Sequence, residues 1–295
     1  MKNNYKENIL VFVKGFIMGI AEVVPGVSGS TLALVMKIYY DFISFLYQIS
    51  NFFKEIVLFL TFRSNLKKVK EIFKEINLTF GIFLFLGMFL AILSFSNLMS
   101  YLLLDYREFV LAFFFGLVLA SVSIPWCQIE KKSFREFSLV IATFVIFFFV
   151  LSLNPLSITQ VPHPLYFFLG GSVAICAMVL PGISGSFVFL MLGLYEFIVN
   201  HISNLTRLEI NSSEVLNLFS LFLGIVFGFS IFVRILKYGL RNYSAIIFAI
   251  LTGIILASLK VLWPFTLELV LVEILLLSFV ALLGFGVVSF LKKLG

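Results

Sequence analysis

The sequence predicts an all-α integral membrane protein of two inverted-topology repeats, each a re-entrant, broken helical hairpin followed by three transmembrane helices. Three observations predict it. The chain is 61% apolar and only 12% charged over its 295 residues, whereas soluble domains sit nearer half apolar and a quarter charged. A hexapeptide of proline, glycine and serine occurs twice, each time in the middle of a broken apolar region. Lysine and arginine gather in alternate loops, in a pattern that requires the second half to run upside down relative to the first.

Composition sets the class. Phenylalanine alone supplies 39 residues, and the mean hydropathy is +1.14. The formal net charge of +6 is too small and too scattered for a nucleic-acid footprint, and it fits cytoplasmic loops instead. The first apolar run, Ile9 to Val24, has the basic flank of a signal peptide. No small-residue cleavage site follows, and Pro25-Gly26 leads into more apolar sequence, so the run reads as mature protein. Cys127 and Cys176 fall on different elements and suggest neither a disulfide framework nor a metal site. No cofactor is expected.

A crossing of roughly 30 Å of hydrocarbon needs about 20 apolar residues. Leu78 to Leu104, Phe109 to Cys127, Phe137 to Leu153, Val215 to Val233, Ser244 to Trp263 and Leu269 to Leu291 qualify as plain spans. Ile9 to Ser50 and Leu165 to Asn200 are each interrupted by a Pro-Gly-Ser cluster, and their halves are short for a full crossing. Between the first of these and the first plain span, Asn51 to Asn77 mixes bulky apolar residues with Lys and Glu, as a helix lying in the cytoplasmic interface does.

The duplication is legible residue by residue. Pro25-Gly-Val-Ser-Gly-Ser30 matches Pro181-Gly-Ile-Ser-Gly-Ser186 at an offset of 156, and Gly15/Gly171, Ala21/Ala177 and Tyr39/Tyr195 align with it. Gly116-Leu-Val-Leu-Ala-Ser121 matches Gly253-Ile-Ile-Leu-Ala-Ser258 at an offset of 137, which also aligns Gly87/Gly224, Tyr101/Tyr238, Tyr106/Tyr243 and the only two tryptophans, Trp126 and Trp263. The longer charged connector of the first half accommodates much of the difference between the offsets. The expected repeats are residues 1–155 and 156–295.

If each broken region enters and leaves on one side and each plain span crosses once, a repeat makes three net crossings and its successor is inverted. With both termini cytoplasmic, 17 of the 21 basic residues fall on cytoplasmic segments. The exceptions are Lys37, Arg107, Arg207 and Lys260. A re-entrant hairpin and two full spans share this parity. The short halves and the cluster at each break favour re-entry.

Gly/Pro-interrupted segments at matching positions of inverted repeats point to a transporter's binding site. Proline removes a donor, and glycine permits a turn and a close ligand approach. Ser28, Ser30, Ser184 and Ser186 suit the cap of a new helix, whose free N–H groups attract phosphate. The candidate phosphate-binding set is therefore Pro25, Gly26, Ser28, Gly29, Ser30 and Thr31 with Pro181, Gly182, Ser184, Gly185 and Ser186. The competing reading is that these glycines only permit tight helix packing. Ionisable residues in the apolar segments are costly and so are candidates for coupling or charge roles. Glu22, three residues before Pro25, fits a proton carrier, a group repelling a second anion, or a hydrogen-bonded structural acid. Lys37 attracts an anionic head group or snorkels to the interface, and its depth favours snorkelling. Glu196, like Asp41, sits near a segment end and reads as interfacial. Arg234 and Lys260 flank the aligned helices where positive charge escorts a phosphate; the loop-charge rule accounts for Arg234 and not for Lys260. His163 and His201 read as loop residues.

The stretch Lys14-Gly-Phe-Ile-Met-Gly-Ile-Ala-Glu-Val-Val-Pro-Gly-Val-Ser-Gly-Ser-Thr31 resembles the polyprenyl-phosphate transporter family of the PopT type. So do Ala177-Met-Val-Leu-Pro-Gly-Ile-Ser-Gly-Ser186, Leu192-Gly-Leu-Tyr-Glu196 and the Leu251-Thr-Gly…Ser258-Leu-Lys-Val-Leu-Trp-Pro264 segment. The resemblance covers nearly the whole chain. It implies a bacterial plasma-membrane protein that returns undecaprenyl phosphate from the outer to the inner leaflet, recycling the lipid carrier of cell-wall synthesis. Two departures stand out: Ser30 where the first motif usually has a second glycine, and Lys37 where glycine usually precedes Ile-Tyr. The resemblance leaves the coupling ion, proton or sodium, open; Glu22 makes the proton a candidate. Two other classes remain at this point. A lipid-pyrophosphate phosphatase shares such architecture but needs a nucleophile with a base or a metal, and no histidine accompanies either serine cluster. A small-ion transporter shares the helix-terminus chemistry.

Overall fold

The computed structural model describes residues 2–24, 26–265 and 270–294; the candidate Pro25 and the expected start of the last span at Leu269 lie outside the described residues. Within them the structure is helical, with fourteen α-helices and no strand. The first half comprises α1 (Lys2–Glu22), α2 (Gly29–Val35), α3 (Tyr39–Leu60), α4 (Leu66–Glu75), α5 (Leu78–Asp105), α6 (Arg107–Ser121), α7 (Ser123–Cys127) and α8 (Phe134–Val150). The second comprises α9 (Pro164–Val179), α10 (Gly185–Met191), α11 (Tyr195–Thr206), α12 (Ser212–Asn242), α13 (Ser244–Ser258) and α14 (Leu271–Leu294).

Local chemistry explains the boundaries. Asn65 and Asn77 accept the Lys68 and Phe80 N–H groups at 2.9 and 3.3 Å and start α4 and α5. Reciprocal capping boxes, Ser133 with Glu136 and Asn211 with Glu214, start α8 and α12. The run expected at 109–127 divides between α6 and α7, because the Pro125 ring cannot continue a helix past the carbonyl of Ser121.

The first broken region differs from its expected form. Residues 56–60 are apolar and contain no breaker, so α3 runs on past Ser50 to Leu60. It stops where Phe62 takes a φ of 57° and Arg63 N–H donates to the Leu58 carbonyl at 2.8 Å. The connector's helix, α4, is correspondingly short. With 21 and 22 residues, α1 and α3 are each about 32 Å long. The shortness expected of both broken regions applies to α9 and α11, with 16 and 12 residues, and not to α1 and α3.

Among the described residues five helical segments are long and apolar enough to cross a membrane: α3, α5, α6 with α7, α12 and α14. The pair α10–α11, bent by 111°, is apolar enough for a sixth. Large apolar side chains such as Phe89, Phe149, Phe219, Phe222, Phe279 and Phe290 are exposed on the outer helices. Water does not tolerate such a surface and lipid does. The chain is a multi-pass membrane protein.

Within each half, the first helix packs along the first long span, α1 on α5 and α9 on α12. The contacts match: a Cβ on Gly15 or Gly87 would strike the facing helix's backbone at Leu84 or Phe12, and one on Gly171 or Gly224 would strike Leu221 or Phe168. The remaining helices cross between halves, α6 packing on α14 and α13 on α8. The largest buried cluster joins Met18, Val24, Val27 and Met36 of the first break to Leu251, Ile255 and Leu262 around α13.

Candidate functional site

The two breaks are built alike and meet. In each, a short helix folds back along the preceding one. Gly29 lies beside Glu22 and Met18, and at the other end Lys14 Nζ donates to the Met36 carbonyl at 3.1 Å. Gly185 lies beside Ala174, and the Tyr166 hydroxyl donates to the Leu192 carbonyl at 3.0 Å. Turning back needs the left-handed backbone that glycine adopts without a steric penalty, and Gly26 and Gly182 hold φ of 86° and 95°. Side chains there are also excluded by space. A Cβ on Gly26 would lie 2.8 Å from Val261 Cγ1, and one on Gly182 would lie 3.1 Å from Ile255 Cα. Both turns thus rest against α13 and the residues just after it.

The serines stand at the expected positions but bond differently. Ser28 and Ser184 occupy the N-caps of α2 and α10 with extended backbone, yet neither side chain accepts from its helix. Instead the hydroxyls pair, Ser28 with Ser30 at 2.6 Å and Ser184 with Ser186 at 2.7 Å. The first helix start is served by a carboxylate that sequence spacing did not reveal: Glu22 Oε1 accepts the Gly29 N–H at 2.8 Å. At the matching place in the second half, 22 + 156, stands Met178. One break therefore carries its own carboxyl group and the other has an apolar side chain there.

Two hydrogen bonds join the halves at this point. Gly182 N–H donates to Thr31 Oγ1 at 2.9 Å, and the buried Tyr39 hydroxyl donates to the Val179 carbonyl at 3.3 Å. Exposure differs between the breaks: Ser28, Ser30 and Thr31 are buried, whereas Ser186 is exposed. A cavity of about 150 Å³, lined by Gly26, Ser186, Phe187, Leu190 and Tyr195, opens beside it. Tyr39 and Tyr195 align at the repeat offset, and that alignment was the sequence's available sign that both belong to this centre.

The remaining candidates are held elsewhere. Lys37 is exposed at the far end of α2, with φ of 59°. It occupies the same helix-terminating place that Gly193, with φ of 64°, occupies after α10. Glu196 is exposed in the first turn of α11, in a cavity of about 330 Å³ with Gly193 and Tyr195. Arg234 lies on α12 against Ser50 of α3. Lys260 bonds Ser152 and sits 4.7 Å from the Phe148 ring centre, on α8 and its C-terminal turn. His201, read as a loop residue, is buried in α11, stacked on Phe167 at 5.7 Å and 3.5 Å from Glu214. Lys14, counted with the cytoplasmic tail, is buried.

A family model described as undecaprenyl phosphate translocase-like matches residues 18–273. A polyprenyl-phosphate transporter of Vibrio cholerae serotype O1 (strain ATCC 39315 / El Tor Inaba N16961) is 34% identical over 254 residues, which are 86% of this chain and 77% of that protein. Another, from Staphylococcus aureus (strain NCTC 8325 / PS 47), is 30% identical over 265 residues, 85% of each chain. No solved structure matches the chain. With its matched breaks and a family model that spans most of its length, the chain belongs to the undecaprenyl phosphate translocase-like family.

Proposed function

We propose that this chain moves polyprenyl phosphate, in bacteria undecaprenyl phosphate, across the cytoplasmic membrane from the outer to the inner leaflet, so that the lipid carrier is reused. The observation that carries the reading is the meeting of two like breaks, each with a paired serine couple and a glycine turn, at a cavity that Gly26 of the first and Ser186 of the second both line. The names of the two relatives supply the substrate class. The halves, residues 1–155 and 156–295, act as inverted repeats with broken hairpins at α1–α3, whose long outer helices can span, and at α9–α11, whose short helices favour re-entry. The matched glycine contacts and the exchange of α8 and α14 between halves support this arrangement. Both termini face the cytoplasm, as the distribution of 17 of 21 cations favours.

In this reading the second break, Gly182 to Ser186, receives the phosphate from the outside, where no carboxylate opposes it. The first break holds Glu22 in the corresponding place. An arriving phosphate competes with that carboxylate for the Gly29 N–H, and protonation of Glu22 clears the site, which makes the proton the coupling ion. An apolar cavity of about 510 Å³ lined by Ile20, Phe95, Leu98, Met99, Phe109 and Phe113 lies one turn from the first break. It gives an isoprenoid tail a place beside the head-group path, which favours a lipid phosphate over a small oxyanion. No histidine bonds the serine pairs among the described residues, and the relatives' names favour transport over hydrolysis.

Proteoliposomes with a fluorescent undecaprenyl phosphate test this. Wild-type protein should carry the probe to the far leaflet, and Ser184→Ala/Ser186→Ala should slow it at least about tenfold, the loss of two charge-assisted hydrogen bonds. Equal rates in the variant and wild type would remove the breaks from the mechanism, and no transport by folded wild type would reject the function.

A further inference from the structure

A second polar cavity lies away from the breaks, between α3 and the C-terminal half of α12. It measures about 540 Å³ and is lined by Tyr47, Arg234, Lys237, Tyr238, Arg241 and Asn242. Arg234, Lys237 and Arg241 fall at i, i+3 and i+7, on one face of α12. Lys237 Nζ sits 4.0 Å from the centre of the Tyr47 ring and 3.3 Å from Ser44 Oγ. Arg234 Nη2 donates to the Ser50 carbonyl at 3.3 Å, while its buried Nε has no hydrogen-bond partner. Among the described residues the ion pairs are Lys68–Glu55 and His201–Glu214, so none of the three cations meets a carboxylate. Asp41 and Glu7 line a separate cavity, which also includes Ser44.

Three cations without a carboxylate converge on one cavity, and the buried Arg234 Nε is a donor left over, which costs free energy unless an acceptor meets it. The loop-charge rule accounts for positive charge at this end of α12 but not for its convergence. At the offset that aligns Tyr238 with Tyr101, the positions matching 234, 237 and 241 are 97, 100 and 104, which are Asn, Ser and Leu. The first repeat has no such cluster, as the loop-charge rule expects of a helix end on the opposite side. A cavity of this size takes a head group with its adjoining atoms, and basic pockets between spans at the cytoplasmic side suit lipid phosphates.

We propose that this cavity binds the phosphate head group of a lipid in the cytoplasmic leaflet. The assignment stands on the cavity and borrows from the transport reading only the sidedness of α12. Two lipids share the chemistry: the arriving polyprenyl phosphate and an anionic phospholipid of the leaflet.

The test is equilibrium binding to full-length protein in phosphatidylcholine nanodiscs, with undecaprenyl phosphate and phosphatidylglycerol as separate probes. It is run in the Ser184→Ala/Ser186→Ala background so that the breaks do not contribute. Arg234→Gln/Lys237→Gln should weaken binding at least about tenfold and Arg241→Gln, at an exposed position, about fivefold. Arg63→Gln/Lys70→Gln, which removes two exposed cations of the α3–α4 connector, should change it less than about twofold. Loss for undecaprenyl phosphate alone identifies the site as the transported lipid's; equal loss for phosphatidylglycerol identifies a leaflet-lipid site; both support the proposal. Unchanged binding in the folded pocket variants, or an equal loss in the control, overturns it. If the double variant does not fold, Arg241→Gln alone decides. Binding that survives while wild-type protein transports nothing would reject the transport reading and leave this site standing.

Discussion

Thr31→Val removes one hydroxyl from the junction between the breaks and leaves the side chain's shape. The hydroxyl it removes accepts the Gly182 N–H, and both residues are buried. Side-chain hydrogen bonds between membrane helices average only about 0.6 kcal/mol, because a freed group finds another partner. Gly182 has no such freedom: its N–H belongs to a turn held at φ of 95° against the α13 backbone. The cost should therefore approach that of a buried unsatisfied donor, about 1–3 kcal/mol. Thr252→Val is the control, since that hydroxyl donates to Phe248 within its own helix and its loss strands no donor. The assay is reversible unfolding in mixed micelles, followed by tryptophan fluorescence and circular dichroism. A loss at Thr31 no greater than at Thr252 would refute the claim that this bond ties the two halves together.

Three further outcomes follow from the same geometry. Lys37→Gly should stabilise the protein by about 0.5–1 kcal/mol in the same unfolding assay, because a lysine is held at φ of 59° where Gly193 occupies the equivalent turn; a destabilised variant would mean that Lys37 makes an interaction worth more than the strain. Gly182→Ala should cost about 2 kcal/mol or more, since its Cβ would press on backbone atoms of Ile255 in addition to the unfavourable φ. A loss under about 0.5 kcal/mol would show that the turn can relax. Glu22→Gln keeps an oxygen to accept the Gly29 N–H and should fold normally. Its transport should lose dependence on an imposed proton gradient, and transport with the wild-type dependence would remove Glu22 from the coupling step.

What the sequence made legible was mostly covalent pattern. The paired hexapeptides locate both turns, and the first glycine of each, Gly26 and Gly182, has the positive φ that a chain reversal demands. The departure noted at Lys37 marks a helix end where lysine holds the conformation that Gly193 holds in the matching turn, as Phe62 and Leu208 also do after α3 and α11. Interactions set by tertiary packing were hidden. The Glu22 carboxylate reaches Gly29 only because α2 folds back along α1, and nothing in the spacing says that serine hydroxyls will pair with each other instead of capping. Lys14 is the sixth residue of the first apolar stretch, where charge counting places it in a loop, while the fold buries it on the Met36 carbonyl. The spacing of Arg234, Lys237 and Arg241 was visible, but their convergence on one cavity depends on α3 lying beside α12. The extension of α3 to Leu60 was obscured because Lys54 and Glu55 look like an interfacial break, whereas Glu55 is buried with bonds to Ser64 and Lys68.

On the transport reading, two inverted breaks share one path and open to opposite sides in turn. The most direct measurement is sided thiol labelling in a background with Cys127 and Cys176 replaced by serine, using Ser186→Cys and Ser30→Cys separately. As the structure stands, Ser186 is exposed and Ser30 is buried. A membrane-impermeant reagent should label position 186 only from outside and position 30 only from the cytoplasmic side. Undecaprenyl phosphate should shift reactivity from the first to the second. Labelling of both positions from the same side would contradict the inverted arrangement, and reactivity indifferent to the lipid would contradict a shared path.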